Sequence, residues 1–502
     1  MIQEARKYQA FYTKSVPIVD YMIEKLSLKQ EDRIFEPCGG DGVFVEAILE
    51  RNRNANIDVC ELNDNAFNAL QNKFKHYSTA NIRQSDTLLD NDLIFHSHFG
   101  GIYDKIIANP PYGAGQDYEK RDKLKKLFPD IYAKETYTLF LYRCIEILKD
   151  SGILSFIIPD TFLNIHMHKA IRKYILTKTK ILELALFPSS FFPGVNFGYA
   201  NLSIITLQKC NNKKECLDNS FKIINGFTNV EQLANIKNDK PKVRSFFQNE
   251  IYNNSDHAFF IADNSKIIDT INNTEVKIGD IAHCVTGFYS GNDKKFLQVI
   301  NPDLKNGKNY ELVNVNTVSK NYKNNPNILE GIEGDDHFIP IVKGGNTKYL
   351  KPENWFMNWS KNAVNHYKID KKARFQNPHF YFKFGIGVPM ISSSSITASL
   401  IENKLFDQSI VGVFPKDEKL TYYLLAFLNS STCNQLIRTI NPSANNPANY
   451  IKKIPFIFPD KVMLENITNK VIEIMTSIKA NGTFDEKLET QINNYFKSLY
   501  GF

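Results

Sequence analysis

Asn109-Pro110-Pro111-Tyr112 places a side-chain amide, two residues of fixed φ and an aromatic ring in four consecutive positions. The amide carbonyl of Asn109 is an acceptor and Tyr112 is a flat stacking surface, so together they suit a planar substrate that carries an amino group. The preceding run, Tyr103-Asp104-Lys105-Ile106-Ile107-Ala108, predicts a short buried parallel strand, which two successive prolines prevent from continuing. The four residues are therefore expected in a rigid loop at a strand's carboxyl end, the edge where open α/β sheets bind ligands. Asn and Pro are also common in ordinary turns. The case for chemistry rests on a second group of residues upstream.

That group is Glu36-Pro37-Cys38-Gly39-Gly40-Asp41-Gly42-Val43-Phe44, between a predicted strand, Arg33-Ile34-Phe35, and an amphipathic run containing Val45, Ile48 and Leu49. Glycines at these positions let the backbone turn sharply and approach a ligand, with a helix N-terminus exposed behind them. No Gly-Lys-Ser/Thr follows, which argues against a nucleoside triphosphate. Further on, Ile57-Asp58-Val59-Cys60-Glu61 reads as a second strand ending in a carboxylate, the usual partner of a ribose diol. Asn81-Ile82-Arg83-Gln84 leads to a third acidic end at Ser85-Asp86. Each carboxylate alone would serve as a helix cap or a solvated loop residue. Their recurrence at successive strand ends favours a binding site.

The elements that must position these groups follow from the hydrophobic pattern. Val16, Val19, Met22, Ile23 and Leu26 fall at helical spacing, with Thr13 or Ser15 as the expected cap. After Tyr112 comes Gly113-Ala114-Gly115 and then Lys120, Arg121, Lys123, Lys125 and Lys126. These cations are placed either to hold phosphates or to form a solvated helix face balanced by Asp117, Glu119 and Asp122.

The glycine loop, Glu61, Asp86 and the 109–112 loop, in this order and with a large domain last, resemble the γ class of S-adenosylmethionine-dependent DNA adenine-N6 methyltransferases. The resemblance covers residues 8 to about 210. It implies a Rossmann-like methyltransferase fold with a mixed, mostly parallel sheet. It also implies that Tyr12 and Thr13, with Glu36, Pro37, Cys38, Gly39, Gly40, Gly42 and Phe44, hold the methionine portion of the cofactor. Glu61, with Leu62 beside it, would hold the ribose, and Asp86 the adenine amine of the cofactor. Asn109, lying against the cofactor, and the carbonyl of Pro110 would accept hydrogen bonds from the target amine, with Pro111 completing the catalytic loop. Tyr112 would stack on the target base, and Phe192 would close its other face, with Phe191 and Phe187 as alternatives.

An adenine amine is a poor nucleophile because its lone pair is delocalised into the ring. Two carbonyl acceptors around it favour a pyramidal nitrogen and stabilise the positive charge that develops there. The amine is paired inside a duplex, so the base must be flipped out at a cost of a few kcal/mol. Stacking on an aromatic ring, about 1–3 kcal/mol per base, offsets much of that cost. The chemistry calls for neither a metal ion nor a covalent intermediate.

A chain of 502 residues is expected to form two or three domains. With 43% hydrophobic and 23% charged residues, no long apolar run and no apolar leader after Met1, it is expected to be cytoplasmic. Its seven cysteines form no Cys-x-x-Cys pair, so neither a zinc site nor a disulfide framework is expected. The net charge of +7 is concentrated in residues 211–502, which favours a polyanion without requiring one. The expected domains are a catalytic domain over 1–225, a connecting segment over 226–255, and an α+β target-recognition domain with C-terminal helices over 256–502. Cys210 to Asn219 is expected to be a loop, and residues 235–243 a surface connection. Tyr289, Lys343 and Asn346, with Lys120, Arg121 and Lys123, are candidate DNA contacts. The expected partners are double-stranded DNA and a companion restriction endonuclease, with the chain itself a monomer. Two other readings fit parts of the sequence. Protein-glutamine methyltransferases share the Asn-Pro-Pro-Tyr loop but lack a large C-terminal domain, and a non-catalytic DNA-specificity subunit would leave the cofactor motifs unused.

Overall fold

The computed structural model describes residues 15–113, 117–191, 201–234, 241–304, 306–392, 394–483 and 485–502. The chain divides into two compact units, Met1–Phe260 and Ile261–Phe502. In the first unit, the described residues form a nine-stranded sheet in the order β3-β2-β1-β4-β5-β7-β6-β8-β9. The strands are β1 (Arg33–Glu36), β2 (Asn56–Glu61), β3 (Ala80–Gln84), β4 (Tyr103–Ala108), β5 (Leu148–Pro159), β6 (Thr179–Phe187), β7 (Leu202–Lys209), β8 (Ser220–Asn225) and β9 (Lys242–Phe247). Strands β3, β2, β1, β4 and β5 run parallel, and β7 pairs antiparallel with both β5 and β6. Ile34, Phe35, Ile106, Ile107 and Ile157 are essentially fully buried. The central strands therefore read as continuous apolar runs instead of alternating patterns.

Helices α1 (Val16–Leu26), α2 (Val43–Arg51), α3 (Asp64–Phe74), α4 (Asn91–Ser97), α5 (Tyr118–Leu127), α6 (Thr136–Ile147) and α7 (Lys169–Lys178) accompany this sheet. Asn63, Asp90 and Asp117 cap α3, α4 and α5 through their side chains. Ser15 stands at the start of α1, but its side chain makes no capping bond. Its carbonyl accepts from Ile18 and Val19, and Pro17 presets the first turn. Thr13 lies outside the described residues.

Three expectations about the following segment are corrected. Within the stretch expected as a loop, Lys213–Leu217 is a short helix capped by Asn212. Val243 belongs to β9, which pairs antiparallel with β8 along its whole length. The stretch 226–255 is therefore no simple connector, and the division falls at 260/261. Gln248 shows why: its fully buried amide bonds to Ile181 N at 2.6 Å, to Leu176 O at 3.1 Å and to Thr179 O at 3.0 Å. That fixes the chain after β9 to the start of β6.

The second unit is α+β. A four-stranded antiparallel sheet is built from Ala282–Thr286, Ile410–Pro415, Phe384–Pro389 and Ser399–Glu402. A five-stranded mixed sheet includes Phe338–Val342 and Trp355–Asn358. Their shared core is aromatic: Trp359 is fully buried, lies edge-on to Phe288 at 5.4 Å and donates its indole N–H to Ile328 O at 2.7 Å. Helices Thr421–Asn429, Ser431–Ile440, Lys461–Asn481 and Glu486–Tyr500 follow. Among the described residues no helix is long and apolar enough to cross a membrane.

Candidate active site

Strand order reverses between β1 and β4, because β2 and β3 extend the sheet on one side of this pair and β5 on the other. The glycine loop leaves β1 and the 109–112 loop leaves β4, so both open at this switch point. Gly39 N–H donates to Cys60 O at 2.9 Å, folding the loop over the end of β2. A Cβ on Gly39 would lie 2.6 Å from Val59 Cγ1. Gly42, at φ +75°, begins α2, and a Cβ there would meet Leu70 and Phe74 at 2.6 Å. Only glycine fits the chain this close to its neighbours. Thr87 Oγ1 holds Pro37 O at 2.6 Å, and Cys38 Sγ reaches Asn109 O at 3.4 Å. The last contact joins the two loops across the switch point.

Three carboxylates stand at the ends of β1, β2 and β3. Glu61 accepts from Gly40 N–H at 2.8 Å on one oxygen and from Asn63 N–H at 2.7 Å on the other. Each oxygen keeps a further lone pair for a ligand hydroxyl. Leu62 beside it is 45% exposed. Asp86 accepts from Leu88 N–H at 3.1 Å and from Lys120 Nζ at 2.5 Å. Glu36 is 2% exposed, and its Oε2 is buried with no hydrogen-bond partner among the described residues. Burial, reinforced by Asp41 and Glu61, pushes its carboxyl well above the usual range. A buried acceptor that lacks a partner within a negatively charged cradle fits a ligand bearing a positive charge. Phe44 is buried in α2. Burial, with Glu36 and Glu61 nearby, also pushes the Cys38 thiol up, so it stays protonated and is no nucleophile.

The 109–112 loop is held from two sides. Thr136 Oγ1, at the start of α6, donates to Pro111 O at 2.5 Å. Tyr112 is enclosed, its hydroxyl 3.4 Å from Ile157 O in β5 and its ring edge-on to Tyr137 at 6.3 Å. Burial raises its phenol, which stays neutral. Phe187 is buried at the end of β6 and stacks on the half-buried Phe191 at 5.9 Å. Tyr12, Thr13 and Phe192 lie outside the described residues.

The candidate DNA contacts divide into half-buried lysines paired with carboxylates and groups nearer the surface. Lys120 is bound to Asp86, and Lys343 lies between Asp293 at 2.7 Å and Asp407 at 3.2 Å. Lys123 pairs with Glu119 on the exposed face of α5, and Arg121 lies over the ring of Tyr118, which is 84% exposed. Tyr289 is half-buried, with its hydroxyl 3.3 Å from Gly291 O, and Asn346 is exposed. Sequence reasoning did not pick out Thr87, Thr136 or Tyr137, which brace the two loops. Their positions, directly after Asp86 and at the head of α6, were the available signal.

Residues 8–192 match the Eco57I restriction-modification methylase family. The chain is 29% identical over 263 residues to the type II methyltransferase M.AccI of Acinetobacter calcoaceticus, covering 48% of this chain and 47% of that one. It is 23% identical over 388 residues to the adenine-specific methyltransferase BrxX of Escherichia coli O9:H4 (strain HS), covering 74% and 29%. The chain thus spans about half the length of M.AccI and less of BrxX. Its fold is shared with a nuclease-deletion mutant of the type ISP restriction-modification enzyme LlaGI, solved with a DNA substrate mimic. That match has a TM-score of 0.58 at 12% identity and covers 93% of this chain and 47% of that one. The glycine loop, the three acidic strand ends and the 109–112 loop all fall within 8–192, the segment that matches the Eco57I restriction-modification methylase family.

Proposed function

We propose that this chain transfers a methyl group from S-adenosylmethionine to the exocyclic amine of an adenine flipped out of double-stranded DNA, as the modification activity of a restriction-modification system. The observation that carries this reading is the pairing of two loops at one switch point. One is a cradle with a buried carboxylate oxygen that has no partner among the described residues, and the other is an amide and an aromatic ring fixed by prolines and α6. Bound S-adenosylmethionine would supply an electrophilic methyl on a sulfonium centre. Glu36 and the glycine loop hold the cationic methionine end, Glu61 takes the ribose hydroxyls, and Asp86 takes the adenine amine. Asn109 Oδ1 and Pro110 O accept from the target amine and stabilise the charge that grows on it. Holding both partners in line supplies much of the remaining acceleration. Tyr112 forms one wall of the base pocket, and Phe192, with Phe191 and Phe187 as alternatives, closes the other.

Residues 261–502 form the target-recognition unit, with Tyr289 and Asn346 on its candidate reading loops. Arg121 and Lys123 on α5 contact phosphate. Related enzymes include the combined type II restriction enzyme and methyltransferase RM.Eco57I. A companion endonuclease therefore fits the reading. Sequencing of modified bases in DNA from cells expressing the protein tests it: N6-methyladenine at one recurring sequence is expected. Unmodified adenine, with methyl transfer instead to a glutamine side chain of a protein, would refute it.

A further inference from the structure

Beyond Tyr137, the edge-on neighbour of Tyr112, lies a partly buried polar network that the methyl-transfer step does not use. Glu135 occupies the N-cap position of α6, yet its side chain does not cap the helix. Its Oε2 instead lies 3.0 Å from Nε2 of His168, whose side chain is fully buried. The same Nε2 is 3.1 Å from the hydroxyl of Tyr137, and that hydroxyl is 3.2 Å from Thr161 Oγ1, just beyond β5. His168 Nδ1 is buried without a hydrogen-bond partner among the described residues. A carboxylate needs a donor, so the network assigns the proton to Nε2 and leaves Nδ1 as a bare lone pair. The Tyr137 ring carries this network to Tyr112, at 6.3 Å and an interplanar angle of 88°.

We propose that Glu135, His168 and Tyr137 form a brace that sets the Tyr112 ring for the flipped base, with His168 a positioning residue for base capture. The inference rests on the proposed function. The bond from the Tyr112 hydroxyl to Ile157 O is long, at 3.4 Å, and correspondingly weak. Packing against the ring adds to its orientation, and among the described residues Tyr137 meets it edge-on. Two adjacent residues in the first turn of α6 act on the loop in different ways. Thr136 holds its backbone through Pro111 O, and Tyr137 holds its ring. Tyr137 cannot swing away while its hydroxyl is tied to His168 and Thr161. Taking the His168 imidazole out of water beside a half-exposed Glu135 costs desolvation that an apolar side chain would avoid. Its presence beside the stacking ring is explained by the orientation it imposes.

The test uses the full-length protein on a duplex whose methylated adenine has been mapped, with 2-aminopurine at that position to report flipping. His168→Leu should lower the flipped-base emission and raise KM for DNA by about 2- to 10-fold, the range of one aromatic pair, with cofactor affinity unchanged. His168→Gln can place an amide N–H where Nε2 lies, and should restore most of the signal. Tyr137→Phe keeps the ring and cuts its tie, and should fall between them, so it decides the question if the leucine variant does not fold. Leucine, glutamine and phenylalanine variants that all match wild type in emission and KM would overturn the brace alone. Equal losses in the leucine and glutamine variants, with cofactor binding intact, would also overturn it. Wild-type protein that methylates no adenine would overturn the proposed function and the brace with it.

Discussion

Replacing Glu61 with alanine removes two kinds of interaction that can be separated. The carboxylate binds the backbone N–H groups of Gly40 and Asn63, so its loss leaves two donors without acceptors. Glu61 is half-buried, which lets water reach these donors and keeps the stability cost toward the low end of about 1–3 kcal/mol per group. A ribose hydroxyl donating to the same carboxylate forms a charge-assisted bond of about 1.5–3 kcal/mol, which corresponds to roughly 10- to 150-fold in Kd. Glu61→Ala should therefore bind S-adenosylmethionine at least tenfold more weakly by titration calorimetry, while urea unfolding shows a modest shift in midpoint. Glu61→Gln keeps one carbonyl oxygen for Gly40 or Asn63 but turns an NH2 toward the other donor, and should lie between wild type and alanine. Unchanged affinity in a folded Glu61→Ala protein would refute the ribose role. A cofactor loss no larger than the loss in folding stability would reduce Glu61 to a brace for the glycine loop.

Asn109→Ala should lower single-turnover methyl transfer about 100-fold or more with DNA affinity largely intact; retained turnover would sink the acceptor role. Tyr112→Ala should lower flipped-base emission from 2-aminopurine, and equal emission would contradict its stacking role. Glu36 has a raised folded pKa, so the stability it contributes is present at low pH and is lost as pH rises through that value. A bound cation favours the carboxylate, so cofactor affinity should rise with pH over the same range and release a proton. Calorimetry in two buffers of different ionisation enthalpy reads this, and Glu36→Gln should abolish it. A chain ending at Phe260 should bind cofactor yet lose discrimination between cognate and scrambled duplexes, with a flatter salt dependence; full discrimination by that chain would place the reading element in the first unit.

The parts of the site that were legible in the sequence are those where backbone geometry dictates residue type. Gly39, Gly42 and the two prolines announce a turn and a stop whatever surrounds them, and strands ending in Glu61 and Asp86 are visible as apolar runs with an acidic end. Contacts between distant segments were not legible. Nothing in the local pattern says that Cys38 meets Asn109, that Lys120 turns back to Asp86, or that Glu135 leaves its helix for His168. The domain boundary was misplaced for a related reason. Residues 235–243 read as a surface connection, yet Lys242 and Val243 open β9, whose polar look comes from its being an edge strand with several exposed residues. Its membership in the sheet is decided by pairing with β8 and by Gln248, neither of which leaves a periodic signature.

Strand order gives the site its internal logic. Adjacent strands lie about 4.8 Å apart, so groups at the carboxyl ends of β3, β2, β1 and β4 form a row of fixed spacing. Along that row stand Asp86 just after β3, Glu61 at the end of β2, Glu36 at the end of β1 and Asn109 just after β4. On the proposed function, this is the order of the reactants: cofactor adenine, ribose, methionine and target amine. The methyl donor and the acceptor nitrogen then face each other at β1 and β4, the one junction in this row where the winding reverses and two loops diverge to open a crevice. Moving Asn109 to any other strand end in the row would place the amine beside the ribose or the adenine of the cofactor, out of reach of the methyl group. The sheet thus fixes reactant spacing through backbone pairing, and the side chains have only to fix orientation.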